Sequence, residues 1–221
     1  MSGGRRAAET EGERIMTSIP LPRPRTEGGV PLEQSLLRRR SVRRFAAGSV
    51  TLAEAGQLLW AAQGVTSPTG ERAAPSAGAL YPLELYLSAG RVTDLPAGVY
   101  AYVPAGHRLS FHADGDRGSR LAKAALDQRF VAESAAVLVI AAEYARTAAR
   151  YGGRAERYVH IEVGHAAQNV YLQAVALGLA TVVVGAFDDD AVSEALALPA
   201  EVAPLALMPI GRPLGRSGRA R

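Results

Sequence analysis

Cysteine is missing from all 221 residues. Disulfides, thiolate metal centres and cysteine nucleophiles are therefore excluded. No apolar run approaches the roughly 18 residues that cross a bilayer, and the first 30 residues hold no apolar core of a secretory signal. The expectation is a cytoplasmic protein with no membrane partner. Aromatic residues make up only 6% of the chain, and they do not alternate with basic residues as in a nucleic-acid-binding ribbon. A glycine–lysine phosphate loop is absent, as is the glycine fingerprint of a dinucleotide fold. Ser76 stands in Pro75-Ser76-Ala77-Gly78-Ala79, which is not a nucleophile elbow. His160 and His165 are about 140° apart around a helix, so they form no helical metal pair and no metal is expected.

What is present is an alanine-rich chain, 48% hydrophobic, with a formal net charge of +4. That is enough apolar material for one substantial core. Part of the basic excess lies in the tail at Arg212, Arg216, Arg219 and Arg221. Much of the rest lies in Arg38-Arg39-Arg40-Ser41-Val42-Arg43-Arg44-Phe45, five arginines around one hydroxyl. Guanidinium forks and a serine hydroxyl suit phosphate oxygens. If a helix begun near Pro31 continues through this run, Arg39 and Arg43 share a face and can hold a phosphate monoester. A solvated basic helix end and a nucleic-acid patch are the two other readings of the same residues.

Pro31 is placed as the first residue of a helix carrying the apolar stripe Leu32, Leu36 and Leu37. Thr51 and Glu54 form a capping box for a second helix that ends at Gly64. Residues 65–82 carry no period and many turn formers, a pattern of functional loops. Leu83–Leu87 alternates as a strand, and residues 99–103 and 108–112 flank a hairpin turn at Pro104-Ala105-Gly106. Residues 120–126 read as a helix. Ala135–Ala141 reads as a strand buried on both faces. Glu156–Leu179 is the longest helical pattern, with Tyr158, Ile161, His165, Gln168, Leu172, Val175 and Leu179 as its stripe. Thr181–Val184 reads as a strand and Asp188 as the N-cap of a helix over 191–197. Pro204–Ile210 is expected as the last strand. The mixture points to an α+β sandwich, with residues 1–30 a disordered or extended arm, 31–213 the domain and 214–221 a basic tail.

Seven segments in this order resemble the nitroreductase-like flavoprotein superfamily, and within it the SagB-type dehydrogenase branch. They are Arg39–Phe45, Leu58–Gly64, Ala74–Glu84, Arg150-Tyr151-Gly152, Gly164–Asn169, Val184–Asp189 and Pro209–Pro213. The resemblance implies a central, mostly antiparallel sheet with helices on both faces and a long buried central helix. It implies FMN as the phosphate ester. By motif, Arg39, Arg40, Ser41 and Arg43 hold its phosphate, ribityl chain and pyrimidine edge, and Arg212 adds a second cation. Pro75, Ser76, Ala77 and Gly78 close the site from the partner subunit of a homodimer. Gly185 and Ala186 offer backbone N–H groups to the flavin's N5 and O4 edge.

The activity implied is hydride transfer between a donor, NADH or NADPH or the substrate itself, and a second substrate in ping-pong fashion. The SagB-type branch includes enzymes that oxidise azolines in peptides, so the substrate is a small molecule or a peptide. Those enzymes carry lysine before the tyrosine matched by Tyr151, where this chain has Arg150. Arginine does not readily lose its proton. Tyr151 and Arg150 are the catalytic candidates, and a non-catalytic flavin-binding subunit of a peptide-modifying complex is the alternative.

Overall fold

The structure is a computed structural model that describes residues 18–214. Its elements in chain order begin with β1 (Ser18–Pro20), α1 (Leu32–Arg38), β2 (Phe45–Ala46), β3 (Val50–Thr51) and α2 (Leu52–Gln63). β4 (Leu83–Ala89), β5 (Val92–Thr93), β6 (Gly98–Val103), β7 (Arg108–Asp114), α3 (Gly118–Ala124) and α4 (Phe130–Glu133) follow. The chain then forms β8 (Ala136–Ala142), α5 (Tyr144–Tyr151), α6 (Ala155–Ala176), β9 (Ala180–Thr181), α7 (Asp189–Leu196) and β10 (Ala203–Pro213).

One sheet runs in the order β1-β7-β6-β4-β8-β10-β2, with β9 also on β10, and its pairings are antiparallel. β8 is its spine. All seven residues, Ala-Val-Leu-Val-Ile-Ala-Ala, are buried, because helices cover both faces. On one face Leu85, Leu87, Leu138, Ile140 and Met208 meet α2 and α6. On the other, Val137, Val139 and Leu207 meet α3 and α7. The protein is thus an α+β sandwich with a mostly antiparallel central sheet.

Local signals act where expected. Thr51 Oγ1 accepts the Glu54 N–H at 3.1 Å, and a Glu54 carboxylate oxygen accepts the Thr51 N–H at 2.8 Å. This capping box starts α2, which ends against Gly64. Asp188 caps α7 through Ala191 N–H at 2.8 Å.

Five expectations are corrected. α1 stops at Arg38, because Arg39 turns to an extended ψ of 124°. Arg39 and Arg43 therefore do not share a helix face. Pro31 is the N-cap, not the first helical residue. The stripe Leu32, Leu36 and Leu37 faces outward, 60%, 51% and 65% exposed. On α6 the inward residues are Ala155, Val159, Glu162, Ala166, Ala167, Val170 and Ala174, not the expected bulky stripe. Small residues let this helix, about 33 Å long, lie close to the sheet, while Ile161 and His165 are exposed and Leu172 half-buried. The expected strand over 181–184 shrinks to Ala180–Thr181 and one bridge from Val184 to Leu207.

Of the expected N-terminal arm, Ser18–Pro20 pairs with Arg108–Ser110 at the sheet edge. Leu21 is buried in the core. Gln57 then pins Arg25, accepting its N–H at 2.7 Å and donating to its carbonyl at 3.0 Å. Residues 1–17 and the tail residues Arg216, Arg219 and Arg221 lie outside the described residues. Among the described residues, no helix is long and apolar enough to cross a membrane.

Candidate functional site

Beyond α1 the arginine run is extended and lies along the segment after β9. Val42 N–H donates to Thr181 O at 3.0 Å. Tyr171, from the C-terminal half of α6, ties the two together. Its hydroxyl accepts Val183 N–H at 2.8 Å and shares a 2.9 Å hydrogen bond with Ser41 Oγ. The Arg39 guanidinium lies over the Tyr171 ring, 5.2 Å from its centroid, and that of Arg43 over Phe130 at 6.0 Å. Ring contacts occupy the guanidinium faces and leave the N–H edges available. Among the described residues neither arginine has a carboxylate partner. Gly185 and Ala186 follow two residues on, both exposed, with open space where a Gly185 side chain would stand. Gln128 donates to the Ala186 carbonyl at 3.2 Å.

Two expected cations are spent elsewhere. Arg40 folds back on its own chain, donating to Arg39 O at 2.7 Å and Leu37 O at 2.9 Å. Arg212 grips both Glu54 oxygens at 2.8 Å. Burial pushes the Glu54 carboxyl up, but the Thr51 N–H and the Arg212 fork outweigh it and hold the group below its usual range.

The second half of the site is the loop of small residues. Ser76 Oγ accepts the Tyr81 N–H at 2.9 Å and lies beside Glu162 on α6. Gly78 lies under α5: a Cβ there would stand 2.7 Å from Tyr151 Oη and 3.0 Å from Arg150 Nη1. Arg150 in turn lies 5.5 Å from the Tyr151 ring centroid, and Tyr151 meets Tyr158 edge-on at 5.0 Å. The structure thus brings Arg150, Tyr151 and the Pro75–Gly78 loop together. It does not bring them to the arginine segment of the same chain. Glu162 and Tyr171 mark the two clusters on α6, about 14 Å apart along its axis.

His160 hydrogen-bonds the Tyr144 hydroxyl at 2.7 Å. Among the described residues no group of three metal-ligating side chains occurs. Sequence reading missed Tyr171, Glu162, Gln63 and Arg72. A signal exists for Glu162: it repeats in register with Ala155, Val159 and Ala166, and a carboxylate on an alanine–valine face marks a buried polar site.

A mostly antiparallel sheet sandwiched by helices, with a 22-residue helix against one face, is the α+β architecture of nitroreductase-like proteins. The chain belongs to the nitroreductase family, whose family model matches residues 36–212. A protein of Methanocaldococcus jannaschii named as a nitroreductase is 49% identical over 183 residues, covering 83% of this chain and 91% of that one. A crystal structure named as a nitroreductase from Ralstonia eutropha superposes with a TM-score of 0.79 at 30% identity, over 98% of this chain and 97% of that one. A chain of the Escherichia coli microcin synthetase McbBCD complex, solved with truncated pro-MccB17 bound, shares the fold. Its TM-score is 0.69 at 23% identity, over 97% of this chain and 85% of that one.

Proposed function

We propose that the protein is an FMN-dependent oxidoreductase that works as a homodimer. The observation that carries this reading is the segment of Arg39, Ser41 and Arg43, in which Tyr171 ties Arg39 and Ser41 to Val183 and Phe130 backs Arg43. Two guanidinium edges without carboxylate partners, one hydroxyl and an exposed glycine are the chemistry a ribityl phosphate requires. The buried Thr181 hydroxyl, which has no partner among the described residues, lies on the strand that accepts Val42. These residues fit FMN. Arg39, Ser41 and Arg43 hold its phosphate and ribityl end, and Gly185 and Ala186 present backbone N–H groups to the ring edge. Arg40 and Arg212 join only by leaving their present partners.

When bound, the flavin supplies hydride acceptance from NADH, NADPH or the substrate and its return to a second substrate, in ping-pong fashion. The protein positions the ring and stabilises negative charge with fixed donors. No side chain of the cluster has to act as acid or base. The two halves of the site lie apart in one chain, and the exposed leucines of α1, with Ile161 of α6, support assembly of two copies. The Pro75–Gly78 loop of one copy then completes the site of the other.

A second reading, azoline oxidation in a peptide or service as a flavin-binding subunit of a peptide-modifying complex, is favoured by the contact of Arg150 and Tyr151 with Gly78 and by the fold shared with the McbBCD chain. Arg150 then orients the Tyr151 hydroxyl, since a guanidinium keeps its proton. Turnover of an azoline peptide distinguishes it from a nitro or quinone acceptor.

The test is FMN titration of wild type and Arg43→Ala. Loss of a charge-assisted contact of about 1.5–3 kcal/mol weakens binding by roughly tenfold to a hundredfold. Undiminished affinity in the variant removes the phosphate assignment.

A further inference from the structure

The loop that follows Pro75 has a costly backbone. Gly78, Ala79 and Tyr81 take φ of +63°, +54° and +48°, and two of the three carry a Cβ that disfavours this region. Such conformations persist only where the surroundings over-determine them. Five side chains do so here, in a closed ring. Glu162, only 2% exposed, accepts from Gln63 Nε2 at 3.4 Å and lies beside the Ser76 hydroxyl, which favours its charged form. Gln63 Oε1 accepts from Arg72 Nη1 at 3.0 Å. The Arg72 guanidinium lies 4.6 Å from the Tyr81 ring centroid, and the Arg72 backbone N–H donates to Tyr81 Oη at 3.3 Å. The Tyr81 N–H returns to Ser76 Oγ at 2.9 Å. Every other inward residue of α6 is alanine or valine, so packing gives no reason for a carboxylate at this point of the helix. A buried carboxylate is retained only where polar groups meet it, and both Gln63 and Ser76 belong to the ring.

We propose that Glu162 is a positioning residue: enclosed between Gln63 and Ser76, it holds Ser76 and the left-handed turn after it in the shape that closes the flavin site. The proposal rests on the reading of the Pro75–Gly78 loop as part of that site.

The test measures two quantities on the full chain: hydrogen exchange of the 72–81 amides before FMN is added, and the FMN dissociation constant. The variants are Glu162→Ala, Glu162→Gln, Ser76→Ala and the Glu162→Ala/Ser76→Ala pair. Glu162→Ala and Ser76→Ala are each expected to speed exchange at Tyr81 and to weaken FMN binding about tenfold. The pair is expected to be no worse than either single change, since both break one ring. Glu162→Gln recovers most of both readouts, because its carboxamide accepts from Gln63 and donates to Ser76 Oγ. Ser76→Ala, alone and combined with Glu162→Gln, carries the test if Glu162→Ala does not fold. Exchange at the wild-type rate in the alanine variants overturns the ring. Faster exchange with unchanged FMN affinity leaves the ring but overturns its role in the flavin site. A wild-type chain that binds no FMN overturns the flavin reading itself, whatever the exchange shows.

Discussion

Arg39 and Arg43 owe their availability to the rings beneath them. Tyr171 and Phe130 take the guanidinium faces, where a carboxylate would have taken the edges, as Glu54 does with Arg212. The same contrast could not be seen in the sequence, where the arginines look alike. Glu162 is the opposite case, a charge enclosed rather than presented. Burial raises its carboxyl above the ordinary range, against the neighbouring Ser76 hydroxyl, the Gln63 hydrogen bond and the charges of Arg72 and His165, which lower it. The folded chain therefore holds this proton more tightly than the unfolded chain does. Stability contributed by the protonated form is present at low pH and is lost as pH rises through the raised value. Denaturant unfolding of Glu162→Gln is expected to lack that loss, so the wild-type and variant curves diverge as pH climbs above the ordinary carboxylate range. Parallel curves would show that the carboxylate is not confined as described.

At the scale of elements, what could be read from sequence was whatever is encoded within a few residues. Thr51 with Glu54, Asp188, the unbroken apolar run of β8 and the Pro104-Ala105-Gly106 turn each carry their own instruction. The faces of α1 and α6 could not be read the same way, because bulk was taken as the sign of burial. α6 lies against the sheet through alanine and valine, and its larger residues face away. Leu32, Leu36 and Leu37 on α1 and Ile161 on α6 are each about half exposed or more. The proposed homodimer would cover them. A Leu36→Glu/Ile161→Glu variant is expected to keep its fold by circular dichroism and to become monomeric in solution scattering where the wild type is dimeric. A variant that remains dimeric places the interface elsewhere.

For the molecule as a whole, sheet order lay beyond local signals. β4 pairs with β8, and β10 lies between β8 and β2; these pairings join segments far apart in the chain. The family likeness supplied what periodicity could not. It also led to the arginine segment and the loop being read as one site, and the structure sets them apart as two clusters on α6. One presents donors at Arg39, Ser41 and Arg43, the other a left-handed loop beside Arg150 and Tyr151. The proposed function joins them through a second copy of the chain.

The most direct measurement is the visible absorbance spectrum of the protein with FMN, recorded anaerobically before and after NADH or NADPH is added. The account predicts a protein-bound flavin spectrum that bleaches with at least one of the two donors and returns when an acceptor is supplied. A chain that leaves added FMN unbound, with the spectrum of free flavin, contradicts the assignment of the arginine cluster and the function built on it.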